Sequence, residues 1–332
     1  MQKTIPIAVH EEAKRLYENM RHLDYSLNEC LIFAPITLEI NRLKKEKNAV
    51  ILAHNYQRPE ILFGVADFTG DSFGLSVEAK KTVADIILFC GVNFMAETAK
   101  ILSPKKKVLI SSLEAGCSLA DSITAKDVVG IKKKHPNAKV VCYVNTTADV
   151  KAECDTCCTS ANALKVIDAM SSNDVIFLPD KFMGANLQMQ TKKNLILWDG
   201  TCIVHESFTP EQINAYKKQF PEMKVLAHLE CPPEVIALSD LAGGTSDMYN
   251  YIKKSDAKQF MLVTECGMSD LLRARFPEKQ FINPCSICPY MKKINLENVL
   301  ESLEKEKFVV NIPEKIRKKA QITLDEMIKI GK

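Results

Sequence analysis

From about residue 49 onward, hydrophobic positions fall into short β-branched blocks. In chain order they are NAVILAHN, ADIILFC, KKVLISS, AKVVCYVN, DVIFLPD, NLILWDG, KVLAHLE, QFMLVTE and KQFINP. Most are unbroken apolar runs without alternation, as expected of strands buried on both faces of a parallel sheet. Between them apolar positions recur at helical spacing, so the pattern predicts an α/β protein with right-handed crossovers. Residues 1–48 read as a helical lead-in, with Glu11–Met20 its clearest helix, and Glu314–Ile330 as a closing helix with lysines on its solvent side.

The nine blocks form three sets of three. The first strand of each set ends in a polar aromatic residue: His54, Tyr143 and His228. The second is followed by a methionine at the head of a helix, Met95, Met183 and Met268. The third leads into a cysteine-bearing loop and a capped helix, beginning at Thr124, Thr209 and Asn295. Thr209 and Gln212 have the capping-box spacing with proline at the first helical position, and the other two starts are looser versions. The cap spacings nearly agree, 209 − 124 = 85 and 295 − 209 = 86. The expected organisation is three homologous three-layer α/β/α domains with small parallel sheets, at 49–137, 138–222 and 223–332, around a pseudo-threefold axis. No low-complexity linker separates them, so tight packing is expected.

Composition narrows the function. Forty-four basic and 41 acidic residues leave a net charge of +3, with no basic face for nucleic acid. No run of eighteen apolar residues marks a membrane span. The first residues carry charges where a signal peptide has its apolar stretch, so cytoplasm is the expected location. Twelve cysteines are many for such a chain. In a reducing compartment they are candidates for metal, cluster or nucleophile duty, against the commoner fate of a small buried hydrophobe.

Ligands of open parallel sheets bind beyond the carboxyl ends of the strands, where each repeat has its unusual residues. First-strand ends carry His54, Asn55 and Tyr56, then Tyr143, Asn145 and Thr146, then His228 and Glu230. Third-strand ends carry Cys117, then Cys202 with His205 and Glu206, then Cys288. Packing about a threefold axis brings the three cysteines together. Three thiolates suit either a Cys₃His zinc site or an iron–sulfur cluster. A cubane on three cysteines leaves one iron open as a Lewis acid, which suits dehydration better than electron transfer.

The motifs AHNYQ, GDS, GVNFMAETAKIL, EAGCSLAD, YVNT, TCIVHESF, AHLEC, GGTSDM and CPYMK run in order from residue 53 to 292. In these the chain resembles the quinolinate synthase family. The resemblance implies an oxygen-sensitive enzyme that condenses iminoaspartate with dihydroxyacetone phosphate, releasing quinolinate, phosphate and water for NAD synthesis. It implies a [4Fe–4S] cluster on Cys117, Cys202 and Cys288, and a functional link to L-aspartate oxidase. Carried over by motif, His54, Ser72, Tyr143, Asn145 and Ser160 contact the dicarboxylate and later intermediates. His205, His228, Glu230 and Thr245 complete the pocket, and Tyr56 acts in ring closure. Gly243 to Ser246 are the expected phosphate seat.

Spacing separates Cys288 from Cys285. From cysteine to cap is 124 − 117 = 7, 209 − 202 = 7 and 295 − 288 = 7, whereas 295 − 285 = 10. Cys285 is expected close enough to Cys288 for a disulfide under oxidation. Cys154, Cys157 and Cys158, in a loop before a helix, are expected as reduced thiols. Cys30, Cys90, Cys142, Cys231 and Cys266 are expected as packing residues. Two other functions fit the cysteines: a metal-binding or redox-sensing protein without turnover, and a cluster-bearing hydro-lyase for another hydroxy acid.

Overall fold

A computed structural model describes residues 5–331; residues 1–4 and 332, within the expected lead-in and last unit, lie outside the described residues. Twelve strands form three sheets. The first sheet holds β1 (Ala49–His54), β2 (Phe68–Gly70), β3 (Ile86–Cys90) and β4 (Lys107–Ile110). The second holds β5 (Lys139–Tyr143), β6 (Thr156–Cys158), β7 (Asp174–Leu178) and β8 (Asn194–Leu197). The third holds β9 (Lys224–His228), β10 (Leu241–Gly243), β11 (Gln259–Val263) and β12 (Gln280–Ile282). Their spatial orders, β2-β1-β3-β4, β6-β5-β7-β8 and β10-β9-β11-β12, are one topology repeated, and every pairing within the sheets is parallel.

The sequence pattern accounts for nine of these strands. The other three, β2, β6 and β10, are edge strands of three residues each. Such segments are too short to show a period. An aspartate before each edge strand fastens the central strand beside it: Asp67 accepts the Ile51 N–H, Asp155 that of Val140 and Asp240 that of Val225, each at 2.8 Å.

Both faces of the central strands are covered. On β5, Val141 and Tyr143 join a core that runs through all three sheets, while Val140 and Cys142 join another beneath the closing helix. On β11, Phe260 and Leu262 face the shared core, and Met261 and Val263 the outer core of the third unit. The lead-in forms two helices, Ile7–Met20 and Leu27–Glu46, the second fixed at its start by a capping box of Ser26 and Glu29. The closing helix, Glu314–Gly331, follows the third unit in the chain but packs on β6 and the short helix Ala148–Lys151 of the second. The shared core holds the three units in one relative position, and hence the strand ends that meet between them. Among the described residues no helix is long and apolar enough to cross a membrane.

Candidate functional site

The carboxyl ends of the three sheets enclose a cavity of about 90 Å³. Its wall includes His54, Tyr56, Ser72, Tyr143, Asn145, Ser160, His205, His228, Glu230 and Thr245, together with Cys117, Cys202 and Cys288. The residues carried over by motif as cluster ligands, substrate contacts and catalytic groups therefore reach one place. Of the expected phosphate seat only Thr245 does so. The Ser246 hydroxyl donates to Asp71 at 2.5 Å, and the Gly244 N–H donates to Asp247 at 2.8 Å. A Cβ at Gly244 would lie 2.3 Å from the Ser160 hydroxyl, so a side chain there would displace Ser160.

Glu230 is the hub of the polar wall. Its carboxylate meets His205 Nδ1 at 2.9 Å and accepts the Tyr143 hydroxyl at 2.8 Å and the Asn145 amide at 3.4 Å. The His205 ring stacks on His228 at 4.4 Å. Burial opposes ionisation of Glu230. The histidines beside it and the hydrogen bonds from His205 and Tyr143 outweigh that and hold it at about 2. Thr264 extends the network: its hydroxyl lies 3.0 Å from His205 Nε2 and 2.7 Å from the Tyr56 hydroxyl. One hydrogen-bonded chain thus runs from Tyr56 of the first unit through Thr264, His205 and Glu230 to Tyr143 of the second.

His54 and His228 repeat one arrangement. Nδ1 of each accepts the backbone N–H two residues on, from Tyr56 at 3.2 Å and from Glu230 at 3.3 Å. That assigns the proton of the neutral ring to Nε2, the free nitrogen. Burial lowers both rings to about 3, so they are neutral donors at neutral pH. Asn145 Oδ1 is buried without a partner and supplies an open acceptor.

The three cysteines also share one geometry. Each sulfur lies beside the backbone N–H groups of the residues two and three places on. These are Leu119 and Ala120 for Cys117, Val204 and His205 for Cys202, and Tyr290 and Met291 for Cys288. Burial raises all three thiols, Cys117 to about 12, so in the absence of a metal they keep their protons. Amide donors aimed at sulfur favour a thiolate, the form that ligates metal. The donor atoms of Cys202, His205 and Glu230 also lie within 4.8 Å of one another, a grouping that could hold a single ion.

Two expectations for cysteines need correction. Cys285 does not approach Cys288 as a partner: it is bridged to Cys266, which is therefore not simply a packing residue. Cys157 and Cys158 lie on β6 and not in a loop.

Several positioning residues were not read from the sequence, because only the fold brings them here. Asn186, fully buried, donates to the carbonyls of Leu229 and Cys231, both at 2.9 Å, and so clamps the peptide units on either side of Glu230. Glu265 accepts the Cys288 N–H at 3.2 Å and pairs with Lys292 at 3.2 Å, while Lys292 donates to the Tyr56 carbonyl at 2.7 Å. Lys292 closes the motif CPYMK without a role read from it, while Asn186, Thr264 and Glu265 lie outside the motifs. Thr264 and Glu265 end the apolar block QFMLVTE, and Asn186 stands one turn after the helix-heading Met183, and those positions are the signal the sequence offers.

A family model described as quinolinate synthetase A protein matches residues 38–329. A quinolinate synthase of Caulobacter vibrioides is 45% identical over 324 residues, covering 96% of this chain and 88% of the relative. Quinolinate synthase 2 of Mesorhizobium japonicum is 45% identical over 322 residues, covering 97% of this chain and 99% of the relative. A quinolinate synthase of Xylella fastidiosa is 46% identical over 291 residues, 88% of this chain and 86% of its own length.

Proposed function

The chain belongs to the quinolinate synthetase A family, and on that premise we propose that its central cavity condenses iminoaspartate with dihydroxyacetone phosphate to quinolinate, a step toward NAD. The observation that carries this reading is the convergence of three equivalently built cysteines with the Glu230 network in one enclosed space. Cys117, Cys202 and Cys288 would hold a [4Fe–4S] cluster, whose open iron supplies a Lewis acid for substrate oxygens. Their amide-directed sulfurs suit that duty, and a cluster explains why three units each contribute one thiol.

The remaining chemistry falls to the wall. His54 and His228, neutral with Nε2–H free, donate to the substrate carboxylates. Asn145 offers its unpaired acceptor to the imine or enamine nitrogen, and Ser72, Ser160 and Thr245 add hydroxyls for the carboxylate and phosphate oxygens. Glu230, held ionised, is the base, with His205 as its hydrogen-bonded partner. The Tyr56–Thr264–His205–Glu230 chain gives a proton a continuous route between the Tyr56 oxygen and the carboxylate, in keeping with a role for Tyr56 in ring closure. Tyr143 and Asn145 fix the carboxylate from its other side.

Protein purified and reconstituted with iron and sulfide under anaerobic conditions is expected to form quinolinate and phosphate in equal amounts from the two substrates. Exposure to oxygen is expected to abolish the activity. Full turnover by a metal-free, air-exposed sample would overturn the proposal.

A further inference from the structure

The second sheet contains a group of thiols that the cavity does not use. Cys142 on β5 and Cys157 on β6 are register partners in neighbouring parallel strands. Their sulfurs, both fully buried, lie 3.3 Å apart. Register partners in adjacent strands have Cα atoms about 4.8 Å apart, within the span a disulfide bridges. The thiol of Cys154, just before β6, is a second neighbour of Cys142 and donates to the Val150 carbonyl at 3.1 Å. Of the three, only Cys154 is partly exposed. The closing helix roofs the group, its Thr323 hydroxyl donating to the Lys151 carbonyl at 2.9 Å.

Lys151 gives the group its chemistry. Its side chain is fully buried, and its ammonium donates to the carbonyls of Val144 and Thr146. That charge stands beside Cys142. Burial would push the Cys142 thiol up, but the Cys154 and Cys157 thiols, the nearby Lys151 ammonium and the Thr146 hydroxyl around it outweigh that and bring the group well below the ordinary thiol range. The Cys142 sulfur thus ionises more readily than an ordinary buried thiol and has the Cys157 sulfur in contact with it. A metal fits poorly here. The Cys142, Cys154 and Cys157 sulfurs are not all within 4.8 Å of one another, the separation met by Cys202, His205 and Glu230, and the Lys151 ammonium repels a cation.

We propose that Cys142 and Cys157 are a peroxide-oxidisable pair that closes to a disulfide, with Cys154 as the alternative partner. The Cys142 thiolate attacks one peroxide oxygen, the O–O bond breaks, and hydroxide leaves, taking a proton to become water. The Cys157 thiol then attacks the resulting sulfenic sulfur. The S–S bond forms, the S–O bond breaks, and the departing hydroxide takes the Cys157 proton as a second water. Two thiols and one hydrogen peroxide give one disulfide and two waters, a two-electron oxidation.

The pair sits one residue from the cavity. Tyr143 follows Cys142 on β5, and Lys151 holds the Val144–Thr146 turn that presents Asn145 to Glu230. Oxidation removes the negative charge facing Lys151. An accompanying loss of turnover rests on the function proposed above; the disulfide itself does not.

The test is one equivalent of hydrogen peroxide added to the full chain, followed by denaturation in alkylating reagent and peptide mass mapping. A Cys142–Cys157 cross-link, two hydrogens lighter than its parts and reversed by dithiothreitol, is expected before Cys30, Cys90 or Cys231 is oxidised. In Cys157→Ala the cross-link should move to Cys154. In Cys154→Ser/Cys157→Ala, dimedone should trap a sulfenic acid on Cys142. Recovery of Cys142 and Cys157 as fully alkylated free thiols while other cysteines have oxidised would overturn the proposal. So would one tightly bound zinc that protects all three sulfurs. Because the readout is a peptide mass, it stands whether or not quinolinate is formed.

Discussion

Glu230 shows how a single side chain gains a role from its neighbours. An isolated buried carboxyl would take up a proton, but here the hydrogen bonds it makes with His205 and the Tyr143 hydroxyl favour its charged form. Glu230→Gln preserves size and some of the hydrogen bonding while removing the basic oxygen. Turnover at saturating substrate is expected to fall by about 10²–10⁴-fold, the usual worth of a positioned general base. Iron content should be unchanged, because Glu230 is assigned to the substrate. Parallel quinolinate and iron assays check this, and loss of iron would move Glu230 to the metal side of the site. Glu230, His228 and Tyr143 were legible in the sequence because they end the first strands of their repeats. Thr264 and Asn186 were not. A threonine after an apolar strand and an asparagine within a helix are ordinary there, and their partners lie 59 and 43 residues away in the chain.

At the scale of elements, the third-strand loops and their helix caps recur most faithfully. All three caps close as full boxes: Thr124 with Asp127, Thr209 with Gln212, and Asn295 with Asn298. The two starts that looked looser in sequence are equally complete, because aspartate and asparagine reach back to the cap N–H as glutamine does. Removing one cap side chain, as in Thr209→Ala, is expected to cost about 1 kcal/mol, read as a lower urea midpoint with an unchanged slope. Asn295→Ala should cost a similar amount. The edge strands β2, β6 and β10 escaped the hydrophobic pattern for a physical reason. Each takes its place from backbone pairing to one neighbour and from an aspartate that ties down the central strand, neither of which leaves an apolar period. The pattern in the central strands is strong because both of their faces are buried.

At the scale of the molecule, three sheets of one topology bring three loops to one cavity, and the choice of cysteine in Cys285-Ser286-Ile287-Cys288 follows from that symmetry. Only a residue seven places before its helix cap can occupy the position shared by Cys117 and Cys202, and in the third unit that residue is Cys288. Cys288 lines the cavity with amide donors on its sulfur, whereas Cys285, at φ 46°, turns away to bridge Cys266. The bridge itself was not legible, since Cys266 lies 19 residues upstream and meets Cys285 only because the ends of β11 and β12 lie side by side. Replacing Cys117, Cys202 or Cys288 by alanine should therefore abolish both the visible absorbance of the anaerobic protein and quinolinate formation. Each change would leave the proposed cluster with two protein thiolates. Cys285→Ala frees Cys266 but removes no ligand, so iron content and absorbance should stay within error of the parent, with at most a loss of thermal stability from the missing cross-link. Iron and sulfide analysis of the four variants, prepared side by side without oxygen, makes the comparison. A Cys285→Ala protein unable to hold four irons, beside a Cys288→Ala protein that holds them, would show that the third loop does not follow the geometry of the other two.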